Sequence, residues 1–279
     1  MKIPVILLNY NSSADCRKCV GFLCRQRGVD LEIIIVDNCS RPDDRQAVEV
    51  LCKEPGLTYI PAKENRGYNA GNNIGLRYAA SKGYKYALIA NPDMEFPQKD
   101  YVEKLITKME QDYTIAVCAS DIVNPDGRHI NPQRNATYNE ELFWFIEILR
   151  NSKSKNWYHC DFTHSAYCEK VSGCCLLLLV DFIKSIGYFD ESVFLYSEES
   201  ILAKQVEQQN KHIFYISDAQ AIHQHIESEK GASKPRMKTL FKSHDYYLRK
   251  YSGYKGLKLK LLLFSKYLQQ ILYRLIWIK

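Results

Sequence analysis

The chain has 279 residues, 46% hydrophobic and 25% charged, an ordinary globular balance with enough apolar residues for a substantial core. No stretch supplies the roughly 18 uncharged apolar residues that a membrane-spanning helix needs, and a strand-like run at Ile3–Leu8 stands where a secretory signal would be expected. The net charge of +6 is uneven: from Tyr246 to Lys279 there is no acidic residue, and eight basic ones (Arg249, Lys250, Lys255, Lys258, Lys260, Lys266, Arg274, Lys279) account for all the excess.

From the N-terminus the chain alternates strand-like and helix-like segments. Ile3–Leu8 reads as a strand and residues 13–25 as a helix. Glu32–Val36 is a strand, residues 42–53 a helix and Leu57–Ile60 a short strand. A helix over 69–82, a strand at Tyr86–Ala90, a helix at Gln98–Gln111 and a strand at Ile115–Ala119 follow. Such alternation predicts a mostly parallel, Rossmann-like α/β sheet covered by helices, with a binding crevice at the carboxyl ends of the strands. Residues 124–169 are less regular and rich in aromatics, His and Asn, with a possible helix at Glu140–Arg150. They suit substrate recognition or a plain variable surface. Regularity returns with a strand at Cys174–Val180, a helix at Glu198–Gln209 and two strands, His212–Ile216 and Ala219–His223.

Ten cysteines invite a disulfide or zinc reading. Only Cys16, Cys19 and Cys24 cluster, and no second Cys or His pair lies nearby to complete a zinc site. Their spacing fits small buried side chains of a helix, kept as reduced thiols, and the adjacent Cys174 and Cys175 read the same way.

Asn91-Pro92-Asp93 follows directly on Tyr86–Ala90. A short apolar run broken by proline reads as a buried strand ending in a turn. Asp93 then stands at the carboxyl end of a strand, where it can hold a divalent metal against a phosphate or simply shape the turn. Asp37 ends the second strand and can accept hydrogen bonds from a nucleoside or cap a helix. Between Glu64 and Leu76, Gly and Asn are dense just before a helix, which suits a phosphate-binding helix N-terminus or a plain entry turn. Glu198 and Glu199 follow an aromatic run. They offer a general base whose pKa is raised by its neighbour, or favourable charge at a helix start. His223 ends a strand, with His225 two residues on; it is structural, or joins Asp93 at a metal.

The ordered set is Tyr10-Asn11-Ser12, Val36-Asp37-Asn38-x-Ser40, Asn65-x-Gly67-x-x-x-Gly71-x-Asn73-x-Gly75 and Asn91-Pro92-Asp93, then Ser172-Gly173, Gly187-x-Phe189-Asp190-Glu191, Phe194-x-Tyr196-x-Glu198-Glu199 and Ala221-Ile222-His223. It resembles the family 2 glycosyltransferases of GT-A fold, especially the bacterial rhamnosyltransferase-like branch, over about residues 3–225. The resemblance implies a catalytic domain at 1–225 and inverting sugar transfer from a nucleotide-diphosphate donor. The acceptor would be an oligosaccharide or polyprenyl-linked glycan, as in surface polysaccharide synthesis. By that resemblance the donor site is Asn11, Asp37, Asn65, Gly67, Gly71, Asn73, Asn91 and Asp93. A divalent ion, Mg or Mn, lies on Asp93 and His223, and the base is Glu199. Many relatives have Glu-Asp where this chain has Glu-Glu, so Glu198 stays a rival base; the next family acid is replaced by Ile201. The alternative is a glycosyltransferase-like domain that binds nucleotide sugar or glycan without turnover.

The remaining segment, 226–279, reads as a basic amphipathic extension. Leu261, Phe264, Leu268, Ile271, Leu272 and Leu275 recur at helical spacing, with Lys266, Gln269, Gln270 and Tyr273 towards another face. It is expected on an anionic membrane surface, which would place the protein at the cytoplasmic face of the cell membrane. Packing on the domain or on a second subunit is the competing reading, and no nucleic-acid partner is expected.

Overall fold

Alternate residues of the first strands face opposite sides. Ile3, Val5 and Leu7 enter one core with Ile33 and Ile35, whereas Ile6, Ile34 and Val36 enter another. A computed structural model, describing residues 1–146, 160–224 and 234–276, shows these cores on the two faces of one sheet. The elements of the first half are β1 (Lys2–Asn9), α1 (Ser13–Leu23), β2 (Asp30–Asp37), α2 (Pro42–Leu51), β3 (Leu57–Pro61), α3 (Tyr68–Ser81), β4 (Tyr86–Ala90), β5 (Met94–Glu95), α4 (Tyr101–Gln111) and β6 (Ile115–Val123). Then come α5 (Tyr138–Leu142), β7 (Ala166–Cys168), β8 (Cys175–Leu179), α6 (Val180–Ser185), α7 (Glu198–Gln208), β9 (His212–His223), α8 (Lys234–Lys250) and α9 (Gly256–Ile276). Helices α1, α2 and α4 cover one face; α3, α6 and α7 cover the other.

The strand order is β3-β2-β1-β4-β8-β6-β9-β5, with β7 also on β9. Strands β3, β2, β1 and β4 run parallel, as the helical crossovers require. The expectation of a mostly parallel sheet fails beyond β4, because β8 enters antiparallel to both β4 and β6. Among the described residues between β6 and β8 no helix covers the sheet as a crossover, which parallel return would require. The α/β sheet is therefore mixed. The two strands expected between residues 212 and 223 are one, paired with β6 and interrupted by a register shift after Ile216. The helix expected at 140–150 begins earlier, at Tyr138, behind a Thr137–Glu140 capping box; residues 147–150 lie outside the described residues.

All ten cysteines are free thiols. Cys16 and Cys19 pack in the core, as expected, but Cys24 lies past the end of α1 and is exposed. Helices α8 and α9 return to the domain. Tyr247, Leu248, Tyr251 and Leu262 form a third core with Val193 and Ile201. The segment after residue 226 thus shares a core with the first domain. Its contact side carries Leu262 and Leu263, while the stripe expected to be apolar faces away.

Candidate active site

Three strands end at one crevice. Strand β1 ends at Asn9, β2 at Asp37, and β4 runs into Asn91-Pro92-Asp93. Asn9 and Asp37 are fully buried. The Asn9 amide donates to Asp37 Oδ1 (3.0 Å), Ser40 Oγ (3.1 Å) and Asp44 Oδ2 (2.7 Å). The Ser40 N–H and Arg45 Nε donate to Asp37 Oδ2 at 3.3 and 3.2 Å. Asp37 therefore holds the β1 and β2 ends together and presents no exposed oxygen. Asn11, at φ 57°, accepts from the Arg41 N–H at 2.9 Å and ties the same two loops at the rim.

The Gly/Asn-rich segment divides into two parts. Asn65 Oδ1 accepts from the Gly67 N–H (2.9 Å) and the Asn38 amide (3.1 Å), fixing the entry to α3. Gly67 has φ 98° and ψ −177°, a backbone region close to glycine-only. A Cβ there would sit 2.1 Å from the Phe194 carbonyl oxygen, which accepts from the Tyr68 N–H at 2.9 Å. Gly71 and Asn73 were expected at the donor, yet they face inward. A Cβ on Gly71 would lie 2.4 Å from Leu8 Cδ1, so this glycine lets α3 approach β1. Asn73 is buried: its amide donates to the Phe189 carbonyl and Glu191 Oε1, each at 2.9 Å, and its Oδ1 accepts from the Phe189 N–H at 3.0 Å. The structure keeps both out of the crevice.

Asp93, His223 and the acidic pair meet around the backbone that enters β8. His223 Nε2 lies 3.2 Å from Asp93 Oδ1. Pairing of Met94 with His223 across β5 and β9 sets that approach. Burial pulls the His223 imidazolium pKa down, but hydrogen bonds and charge from Asp93 and Cys174 outweigh it and raise the pKa to about 10. The Asn91 N–H donates to the Cys174 carbonyl at 2.7 Å. One residue earlier, the Gly173 N–H donates to Glu199 Oε1 at 3.2 Å, while the Tyr68 hydroxyl donates to the Gly173 carbonyl at 2.6 Å. Burial, then the charge of Glu198, pushes the Tyr68 phenol well above its ordinary pKa, so it remains a donor.

The two glutamates differ. Glu199 turns to the Gly173 backbone. Glu198 points inward beside Tyr68, Phe189 and Leu202, and its buried Oε2 has no hydrogen-bond partner among the described residues. Burial, then the charge of Glu199, holds its pKa well above the usual carboxylate range. Just before them, Tyr196 (φ 72°) and Ser197 (φ 66°) are both left-handed. Two consecutive non-glycine residues in that region cost about 1–3 kcal/mol each, and they aim the start of α7 at Gly173.

The model of the glycosyl transferase family 2 matches residues 5–175, more than half the chain, from within β1 to the first residue of β8. The chain belongs to glycosyl transferase family 2. Among its glycosyltransferase relatives, the low-salt glycan biosynthesis hexosyltransferase Agl10 of Haloferax volcanii is 29% identical over 224 residues, 79% of this chain and 66% of that protein. The chain thus spans just under two thirds of that relative. Two solved glycosyltransferase structures share the fold. GalNAc-T7 with UDP, GalNAc and Mn2+ superposes on 90% of this chain and 49% of its own, at 13% identity and TM-score 0.65. The Pyrobaculum calidifontis mannosyltransferase PcManGT with GDP-Man and Mn2+ covers 96% of this chain and 80% of its own, at 15% identity and TM-score 0.56.

Sequence reasoning missed several supports of this crevice. Tyr68 clamps Gly173 from 105 residues away. Glu191 pairs with Arg66 (3.1 Å) and Arg77 (2.8 Å), locking the loop before α7 to α3. Asp190 accepts from Tyr246, Lys250 and Tyr251 of the C-terminal segment. The only sequence signal for the last two was the paired acid Asp190-Glu191 after Phe189, and neither partner could be inferred from spacing.

Proposed function

We propose that the chain is an inverting glycosyltransferase that moves a sugar from a nucleotide-diphosphate donor to a glycan or lipid-linked acceptor in polysaccharide synthesis. One observation carries it: Asn91 bonds Cys174 and Glu199 bonds Gly173, so the Asp93–His223 pair and a carboxylate share one short stretch of backbone at the strand ends. In the proposed reaction the acceptor hydroxyl attacks the anomeric carbon as Glu199 takes its proton. The bond to the diphosphate oxygen breaks on the opposite face, and the electron pair leaves with the nucleotide diphosphate. Glu198, buried and high in pKa, suits a neutral neighbour better than a base. Tyr68, holding the Gly173 carbonyl, steadies the N–H that orients Glu199.

Asp93 and His223 would hold a divalent ion in exchange for a proton: the imidazole is kept protonated beside Asp93 at 3.2 Å, and a metal on the pair would displace that proton. Among the described residues no group of three His, Cys, Asp or Glu could form a protein-only cage. Such a site suits Mg or Mn, which takes its other ligands from phosphate and water and, when bound, offsets charge on the leaving diphosphate. At the donor, Asn91 and the Asn65–Gly67 turn are the remaining candidates for contact.

A screen of nucleotide sugars for Mg- or Mn-dependent release of nucleoside diphosphate tests the reading. The panel begins with dTDP-rhamnose, because Asn-Pro-Asp resembles the rhamnosyltransferase-like branch. Glu199→Gln is expected to lower kcat by about 10²–10⁴ while calorimetric donor affinity stays within about twofold. Full activity in that variant, with loss in Glu198→Gln, would move the base to Glu198. Failure of every donor to bind or turn over, with metal and lipid-linked acceptor present, would sink the enzyme reading.

A further inference from the structure

We infer that helix α9 and the Phe143–Ile146 segment form one surface that docks on an anionic lipid bilayer. Helix α9 has two apolar sides. Leu262 and its neighbours enter the third core. Leu257, Leu261, Phe264, Leu268, Leu272 and Leu275 are exposed, with Leu257 at 73% and Phe264 and Leu275 at 61%. A soluble helix that has already spent one face on its domain has no folding reason to expose six large apolar residues in line.

The flanks of this ridge differ. Lys260, Tyr267 and Arg274, seven residues apart, form an exposed rail along one side. On the other side Ser265, next to Leu261, Leu268 and Leu272 on the helix surface, donates to the Leu142 carbonyl at 2.6 Å. The residues after Leu142 are Phe143, Trp144, Phe145 and Ile146. Phe143, Phe145 and Ile146 are exposed, and both Phe143 and Trp144 stand edge-on to Phe145. Aromatic side chains beside an apolar ridge with a basic edge match the interfacial zone of a bilayer: hydrocarbon under the ridge, rings at the headgroup level, cations on anionic headgroups.

A second copy of the chain is the competing occupant. Leu257, Leu261, Phe264, Leu268, Ile271 and Leu275 are spaced four and three residues apart, as in a coiled-coil seam. The flanking positions argue against it. They carry Lys258, Lys260 and Arg274, and α9 contains no acid, so two copies would set like charges along the seam. Negative charge has to come from the partner.

The surface stands on helix α9 and needs no donor or turnover, so it is tested on the full chain without substrates. The wild-type chain is expected to co-sediment with phosphatidylcholine vesicles containing about one third phosphatidylglycerol, and at least tenfold less with phosphatidylcholine alone or at high salt. The double variant Phe264→Ser/Leu268→Ser is expected to lose about tenfold or more in vesicle affinity; Lys260→Glu/Arg274→Glu should do the same on anionic vesicles only. Both change exposed side chains, so circular dichroism melting should be unmoved. With Trp157 and Trp277 replaced by Phe, brominated lipid should quench Trp144. Vesicle binding unaffected by both double variants, or unquenched Trp144, would overturn the surface as drawn. So would a wild-type dimer that ignores vesicles and dissociates on Phe264→Ser.

Discussion

At the scale of single residues, the acidic pair and Gly67 carry the sharpest consequences. Glu198 holds its proton more tightly in the fold than in the unfolded chain, because burial and Glu199 both disfavour its charge. The folded state therefore binds the extra proton, and stability falls as pH rises above the ordinary glutamate value of 4.5. Glu198→Gln removes that dependence. The variant should melt with the wild type near its acid optimum and at least about 3 °C higher near pH 8, read by calorimetry across pH; parallel profiles would show that Glu198 is not neutral in the fold. Gly67 has a different constraint. An alanine there would combine a glycine-only backbone with a Cβ 2.1 Å from the Phe194 carbonyl. Gly67→Ala should cost about 2 kcal/mol or more and displace the strained Tyr196–Ser197 turn, raising donor KM along with a lowered melting point. A variant that melts like the wild type would mean that the Phe194 contact is not held in solution.

At the scale of elements, legibility followed periodicity. Strands β1 to β4 and helices α1 to α3 were readable because short apolar runs alternate with helix-like segments, and each of these helices crosses between parallel strands. Strand β8 was readable as a strand but not in direction, since Cys175–Leu179 is apolar throughout and such a run looks the same running either way. Asp93 and His223 could be named from strand ends, and their 3.2 Å approach follows from pairing of β5 with β9, a two-residue strand too short to leave a pattern. Gly71 and Asn73, expected at the donor, pack inward, since small and polar residues near a helix start serve phosphate binding and close packing alike. Helix α5 shows what composition cannot: Glu141 accepts from His244 Nε2 at 3.1 Å and Lys266 Nζ at 2.5 Å, joining α5, α8 and α9. Burial pushes the Glu141 carboxyl up, but His244 and Lys266 outweigh it and bring the pKa to about 2. Its stabilising contribution is complete above the unfolded value of 4.5 and is lost as pH falls from there towards about 2. Glu141→Gln should cost on the order of 3 kcal/mol at neutral pH and flatten the acid limb of the stability profile. An unchanged acid limb would mean the triad does not form.

At the scale of the whole molecule, the C-terminal segment packs against the loop that carries Glu198 and Glu199 and also presents an exposed apolar face. The third core joins Tyr247, Leu248, Tyr251 and Leu262 to Val193 and Ile201, which bracket the loop that delivers Glu198 and Glu199. Asp190, just before Val193, is tied to Tyr246, Lys250 and Tyr251; burial pushes its carboxyl up, but those bonds and the Ser192 N–H outweigh it and hold its pKa well below the carboxylate range. The basic run was visible in the sequence, with packing on the domain as the competing reading; what the sequence did not show is that α9 turns one face inward while the visible stripe faces out. Removing residues after Tyr251 therefore does two things at once. It deletes the outward ridge, and it opens the core under Ile201 and leaves Glu141 without Lys266. The truncated chain should lose at least about 5 °C in melting temperature and should lose turnover with a water-soluble acceptor, in the absence of any membrane. Phe264→Ser/Leu268→Ser should keep both while losing vesicle binding. If the truncated chain melts and turns over like the full one, the third core does not support the Glu198–Glu199 loop, and the segment is an appendage to an independent domain.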